Sequence, residues 1–371
     1  MANIVFWQRI VSPHMAGLAT EMAQLGHNVT YIAETLMSEQ RADMGWTAPE
    51  VSPANLILRK DRDSLVSLAR AMPSDTLHIC QGLRANGHVG KVQRELSLLR
   101  HRQWAIMETV DDCGYSGILK RLVYAHLCQR FMTYGEGILA IGRSTPTWLV
   151  ERGLVRSKVF PFAYFLPNRS SVITAKEPSR KSFQIIFVGS LIGRKRVRDL
   201  IAALALLGPD MPPWELVILG DGPERGELER ISDLRIPGHV RWLGSRPLHG
   251  VADVLSRADL LVLPSEHDGW GAVVSEALIA GTPAVCSDRC GAASVVSESG
   301  VGGVYSMGCI PDLTLHIRDA LALGKITLAK REEIAEWAKS LTAKQGAVYL
   351  ERILGLNSGG VNSAPPWVKE R

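Results

Sequence analysis

Cysteine is scarce: the 371-residue chain has six (Cys80, Cys113, Cys128, Cys286, Cys290, Cys309) and no CxxC pair. That spacing excludes a zinc finger or ribbon and a disulfide framework, and it reads as reduced, unpaired thiols. No apolar run approaches the roughly 20 residues of a membrane span. The opening MANIVFWQRIVSPHMAG has no basic-then-apolar leader layout, so the expected location is cytoplasmic. Internal repeats and low-complexity tracts are missing. Aromatic residues make up 6% and do not interleave with basic clusters, so nucleic acid is not an expected partner.

Hydrophobic residues reach 46%, and 371 residues exceed one ordinary core, which favours two domains. The net charge of +5 lies entirely in the first half. Residues 1–169 hold 19 Lys and Arg against 14 Asp and Glu, and the remainder balances. A basic surface of this size suits an anionic membrane as well as any acidic partner.

Strand and helix patterns alternate twice. NIVFW, VTYIA, DTLHICQG, QWAIMET and GILAIG are apolar runs with helical stretches between them. After a polar, Pro-broken stretch the alternation restarts with FQIIFVG, WELVILGDGP, VRWLGS, DLLVLP and TPAVCS. This is the α/β pattern of two doubly wound parallel sheets whose strand ends face a shared ligand cleft. The expected division is a domain at 1–168, a linker at 169–182 and a second domain at 183–345. Residues 346–371 are expected to finish a long amphipathic helix that crosses back to the first domain, and to end in a loose Gly/Pro/Ser tail.

Three groups of residues suggest chemistry. In PSEHDGWGAVVSEALIAGTP (264–283), a buried strand leads through a glycine-bearing loop into a helix. The unpartnered N–H groups of that helix suit an anion, and Glu276, about one turn inside, is placed to meet hydroxyl groups. An ordinary solvated Glu is an equal reading of that spacing. In FVGSLIGRKRV, Arg194, Lys195 and Arg196 follow a strand end, where three cations suit a diphosphate or form a solvated basic loop. ILGDGPERGEL carries Gly220 and Gly222 at a strand-to-helix turn but has Arg225 where a dinucleotide fingerprint needs glycine. In the first half, His14, His78 and Glu108 sit at expected strand ends, with Asp111 and Asp112 close behind. Two adjacent aspartates are a weak metal signal, and no metal site is expected.

FVGSLIGRK, LVILGDGPE, VRWLG and DGWGAVVSEALIAGTPAV, in this order, resemble the family-4 retaining glycosyltransferases of the GT-B fold. The resemblance runs from about Phe183 to Gly281; the first half is similar only in layout. It implies that Asp268 contacts the donor sugar and Glu276 the nucleotide ribose. Gly269, Trp270, Gly271 and Ala272 would approach the distal phosphate, with Gly189, Ser190, Gly220 and Gly222 around the nucleotide. Arg194 and Lys195 match the family's basic pair. Four positions depart: Asp268 stands for the commoner Glu, Ser190 for an Arg, Arg196 for a Gly and Glu108 for a His.

The implied reaction transfers a sugar from a nucleotide-sugar, UDP- or GDP-linked, with no cofactor and no metal. The implied acceptor is a saccharide or lipid-linked saccharide of cell-surface polysaccharide assembly, met on the side of His14, His78 and Glu108. Lys195, Arg194 and the helix N-terminus would stabilise the leaving diphosphate. SGILKRLVYAHLCQRF adds a possible peripheral membrane contact, with Ile118, Leu119, Leu122, Val123 and Leu127 on one helical face and Lys120, Arg121 and Arg130 around it. Alternatives are a sugar-nucleotide epimerase of the same fold and a nucleotide-sugar-binding protein that has lost catalysis.

Overall fold

The computed structural model describes residues 1–37, 47–84, 87–112, 114–167, 180–245, 248–356 and 364–368. The chain forms two compact units: Met1–Asn168 with Leu341–Arg371, and Arg169–Ser340.

The first unit runs β1 (Asn3–Ile10), α1 (Pro13–Gln24), β2 (Asn28–Thr35), β3 (Asn55–Leu58), α2 (Arg62–Ala71), β4 (Leu77–Gln81) and α3 (Val89–Leu98). It continues through β5 (Arg102–Glu108), α4 (Gly114–Met132), β6 (Gly135–Ile141), α5 (Thr145–Val150) and β7 (Val159–Phe162). The sheet order is β3-β2-β1-β4-β5-β6-β7, with every pairing parallel. Its central strands are buried on both faces, which explains why they read as continuous apolar runs.

The second unit runs β8 (Phe183–Val188), α6 (Val197–Leu204), β9 (Trp214–Leu219), α7 (Arg225–Arg235), β10 (Val240–Gly244) and α8 (Leu248–Arg257). Then follow β11 (Leu260–Leu263), α9 (Ala272–Ile279), β12 (Ala284–Ser287), α10 (Ala293–Ser299), β13 (Gly302–Tyr305), α11 (Ile310–Leu323) and α12 (Leu328–Ala338). Its parallel sheet has the order β10-β9-β8-β11-β12-β13.

The expected single long C-terminal helix is two helices. α12 ends at Ala338, a 3₁₀ turn covers Lys339–Leu341, and α13 (Ala343–Ile353) begins anew. The interruption has a hydrogen-bonding cause: Leu166 N donates to Leu341 O and Ala343 N donates to Leu166 O, a strand-like bridge that helix geometry cannot make. The return to the first unit therefore starts at Leu341, ahead of position 346. α13 then packs on α1, with a 2.8 Å contact from His27 Nε2 to Glu351 Oε1. Tyr349 stacks on Phe162 and donates to Pro161 O at 3.0 Å.

Most of the expected 169–182 linker lies outside the described residues. Arg180, at its end, is tied into the second unit by a 2.8 Å contact with buried Asp259. Nor is the tail simply loose. Trp367 is 4% exposed and packs against Phe165 and Tyr349, because an indole offers enough apolar area to hold a short segment down.

Candidate active site

In the second unit the strand order reverses between β8 and β11: β9 and β10 lie to one side, β12 and β13 to the other. Loops leaving the C-terminal ends of β8 and β11 must diverge there and leave a crevice. All the residues expected to bind the donor stand on these two loops, on the neighbouring loop after β9, or on α9.

The loop after β8 is pinned on both sides. Gly189 N donates to Leu219 O, and Leu191 N donates to Asp221 O at 2.9 Å. Gly220 permits this approach, since a Cβ there would lie 1.9 Å from Gly189 O. Gly222 N is held by its neighbour's Asp221 Oδ1 at 2.7 Å. Ser190 is exposed at the loop's edge.

The three consecutive cations are not equivalent. A 3₁₀ turn at Gly193–Lys195 splays them. Exposed Arg194 donates from Nη1 to His267 O at 2.9 Å, and its own carbonyl accepts from Glu266 N at 2.7 Å. Lys195 Nζ is ion-paired with Asp268 Oδ2. Arg196 turns away at φ +50° and pairs with Asp199 at 2.6 Å, so it belongs to the helix start and not to the basic group. A residue in the left-handed region reverses the chain locally, which is why spacing alone misplaced it.

The loop after β11 is braced from below by the loop after β12. Asp268 N donates to Arg289 O, Gly291 N to Asp268 O at 2.9 Å, and Ala292 N to Trp270 O at 2.7 Å. Trp270 is 2% exposed and donates from Nε1 to Ser275 Oγ at 3.1 Å. Its ring is therefore a prop beneath the loop. Gly271 caps α9 at φ +84°, where a Cβ would meet Cys290 Sγ at 2.7 Å and Leu263 Cδ2 at 2.9 Å. The turn delivers Ala272 to the first helical position, with Glu276 half-buried four residues on. The first amides of such a helix and its dipole favour an anion at this end.

Two supports were missed by sequence reasoning. Ser265, fully buried, donates to Asp268 Oδ2 at 3.4 Å and so helps to aim the carboxylate. Tyr305 donates to Pro264 O at 3.3 Å, and burial pushes its phenol up, keeping it a neutral donor. The Tyr305 contact is legible only with the sheet order that brings β13 near the β11 loop, whereas Ser265 stands three residues before Asp268 in the same loop.

In the first unit, His14 follows the Ser12 N-cap and Pro13 at the start of α1, and stacks on Tyr164 at 4.8 Å. α1 leaves β1 at the switch between β1 and β4. Glu108 is the last residue of β5. His78 is different: it lies second in β4, fully buried, with Trp7 Nε1 donating to its Nδ1 at 3.1 Å. It is a core residue and not an acceptor contact, and burial together with neighbouring His101 lowers its pKa to about 3. Asp112 is likewise engaged, by Arg152 and by Trp148 Nε1 at 3.1 Å. The apolar face of α4 is also shifted. Tyr115, Ile118, Leu119 and Leu122 are exposed, whereas Val123 and Leu127 turn toward the core.

Residues 171–340 match the family model for glycosyl transferases group 1. The glycogen synthase of Mycobacterium tuberculosis is 33% identical over 138 residues, 37% of this chain and 32% of that protein. The lipopolysaccharide 1,6-galactosyltransferase of Salmonella typhimurium is 27% identical over 198 residues, 52% of this chain and 54% of that protein. The chain thus spans between a third and about half the length of these curated relatives. Among solved structures, HepE of Anabaena in complex with UDP superposes with a TM-score of 0.73 at 13% identity, covering 96% of this chain and all of that one. The structural likeness covers 96% of the chain, whereas the family model matches residues 171–340. The chain has the GT-B fold, and its residues 171–340 are similar to the glycosyl transferases group 1 family.

Proposed function

We propose that the protein is a retaining glycosyltransferase of cell-surface polysaccharide assembly. It moves a sugar from a UDP- or GDP-sugar to a saccharide or lipid-linked acceptor without a metal. The Lys195–Asp268 pair at the switch point, beside Arg194 and the N-terminus of α9, carries this reading. A diphosphate there competes with Asp268 for the Lys195 ammonium and meets Arg194 and the amides of Gly271 and Ala272. Asp268, released, faces the sugar, and Glu276 takes the ribose hydroxyls. The galactosyltransferase relative and the UDP complex of HepE support the reaction class and the nucleotide.

The step breaks the bond between the sugar's anomeric carbon and a phosphate oxygen, and the electron pair stays on that oxygen. The acceptor hydroxyl attacks from the same face, and its proton passes to the departing phosphate. Lys195 and Arg194 stabilise the charge that develops on the diphosphate, and the Asp268 carboxylate tolerates the cationic ring. His14 and Glu108 are the acceptor-side groups of this proposal.

Contact with an anionic membrane is part of the same reading. Tyr115, Ile118, Leu119 and Leu122 are 95%, 50%, 67% and 65% exposed on one stripe of α4. Among the described residues no helix is long and apolar enough to cross a membrane, so the stripe would lie on the surface.

A thermal-shift series with UDP, GDP and their sugar conjugates tests the donor assignment. One nucleotide should raise Tm by mass action in wild type and much less in Glu276→Ala. No shift with any of them would overturn the reading.

A further inference from the structure

We propose that the first unit holds a second anion site, built to bind a phosphate group through Arg100, His101 and Arg130. These residues line an open basin of about 520 Å³ with Ser97, Thr133 and Tyr134. It lies just before β5 and β6, at the N-terminal edge of the sheet. Glu108 ends the same β5, so the basin is about 20 Å from the strand end where the acceptor-side residues lie.

Three observations carry the site. Arg100 follows α3 at φ +57°, the left-handed position that closes a helix and that glycine ordinarily fills. Its N–H bonds Ser97 O, and His101 N bonds Leu96 O. An arginine here accepts about 1 kcal/mol of backbone strain, and it places a guanidinium on the basin. Next, the nearby carboxylates are already engaged: Glu95 with Arg70 at 2.6 Å and Glu136 with Arg102 at 2.6 Å. Among the described residues, Arg100 and Arg130 have no side-chain acceptor, so their charge is uncompensated.

The third is a fixed chain of donors. Trp7 Nε1–H only donates, so His78 Nδ1 accepts and the His78 proton sits on Nε2. That proton points at His101 Nδ1, 3.3 Å away, which must accept it. His101 therefore carries its own proton on Nε2, the ring nitrogen directed away from His78. The residue is 8% exposed and lines the basin. Two guanidinium groups and an oriented N–H match the oxygens of a phosphate.

The phosphate has two possible sources, a soluble phosphate ester or a lipid headgroup. Arg130 shares the outward face of α4 with Leu122, eight residues and about 12 Å away. The test uses the full chain with ¹⁵N-labelled histidine, following the His101 ring resonances, assigned with His101→Gln, during titration with inorganic phosphate and glycerol phosphate. A parallel arm floats the protein with phosphatidylglycerol or phosphatidylcholine vesicles. Both arms are repeated on Arg100→Gly/Arg130→Gln, in which glycine restores the preferred residue at the left-handed position and so keeps the fold.

Saturable movement of the His101 signal by the soluble ions, weakened about tenfold or more in the double variant, supports the site with soluble esters as ligands. Flotation with phosphatidylglycerol alone, with the His101 signal moving and both lost in the double variant, supports the headgroup. A His101 signal unmoved in both arms, or responses unchanged in the double variant, overturns the proposal.

Discussion

Lys195 Nζ is ion-paired with Asp268 Oδ2 across 73 positions of sequence, with the side chains 12% and 15% exposed. A pair this sheltered is screened less by salt than a surface ion pair, and it ties the loops after β8 and β11 across the switch point. On the proposed reading, its ammonium is the group that meets the leaving diphosphate.

Removing that ammonium should separate chemistry from binding. Lys195→Ala is expected to lower kcat by about 100-fold or more, on the scale of a lost oxyanion donor. Glu276→Ala should instead raise the Kd of the nucleotide and leave almost no transfer. Steady-state kinetics with nucleotide-binding titrations separate the two; wild-type rates in both variants would dismiss the site.

The close approach at Gly220 predicts a coupled effect on stability and donor binding. In Gly220→Ala the new methyl group meets Gly189 O, and the β8 loop must shift. A loss of about 1–3 kcal/mol is expected in urea unfolding, together with a raised KM for the donor. An alanine variant with unchanged Cm and KM would show that the two loops are not packed this closely.

Buried His78 predicts acid sensitivity. Its folded pKa, about 3, lies below the unfolded value, so below about pH 6.5 the unfolded chain binds a proton that the folded protein excludes. Stability should fall by up to about 1.4 kcal/mol per pH unit from there down toward pH 3. His78→Gln keeps an acceptor for Trp7 and should remove this part of the slope. Denaturation curves from pH 7.5 to 5 on both proteins measure it, and equal slopes would refute it.

At the opposite edge of the second sheet, Asp259 is fully buried between Arg180, Gln184 N at 2.8 Å and Ile326 N at 3.2 Å. Asp259→Ala leaves the Arg180 charge without its partner and should cost about 3–5 kcal/mol. Activity per folded molecule should stay at the wild-type level, because none of these atoms belongs to the donor loops. Circular-dichroism melts alongside active-site titration would show whether stability and activity part in this way.

The sequence by itself determined the two parallel sheets and the place of the loops proposed to hold the donor. Alternating apolar runs with Gly- and Pro-marked ends have one economical arrangement, and DGWGAVVSEALIAGTP places glycine where the chain must turn into a helix over an anion. What each side chain does was decided by tertiary structure. Lys195, Arg194 and Arg196 look alike as RKR, but a 3₁₀ turn and one left-handed residue send them to Asp268, His267 and Asp199. His78 looked like a strand-end ligand until β1 supplied Trp7 and the β5 edge supplied His101. The break between α12 and α13 has the same origin: residues 341–343 leave the helix to bond Leu166, a partner far away in sequence. Local patterns record backbone periodicity, whereas charge pairing and burial depend on neighbours that only the folded sheets bring together.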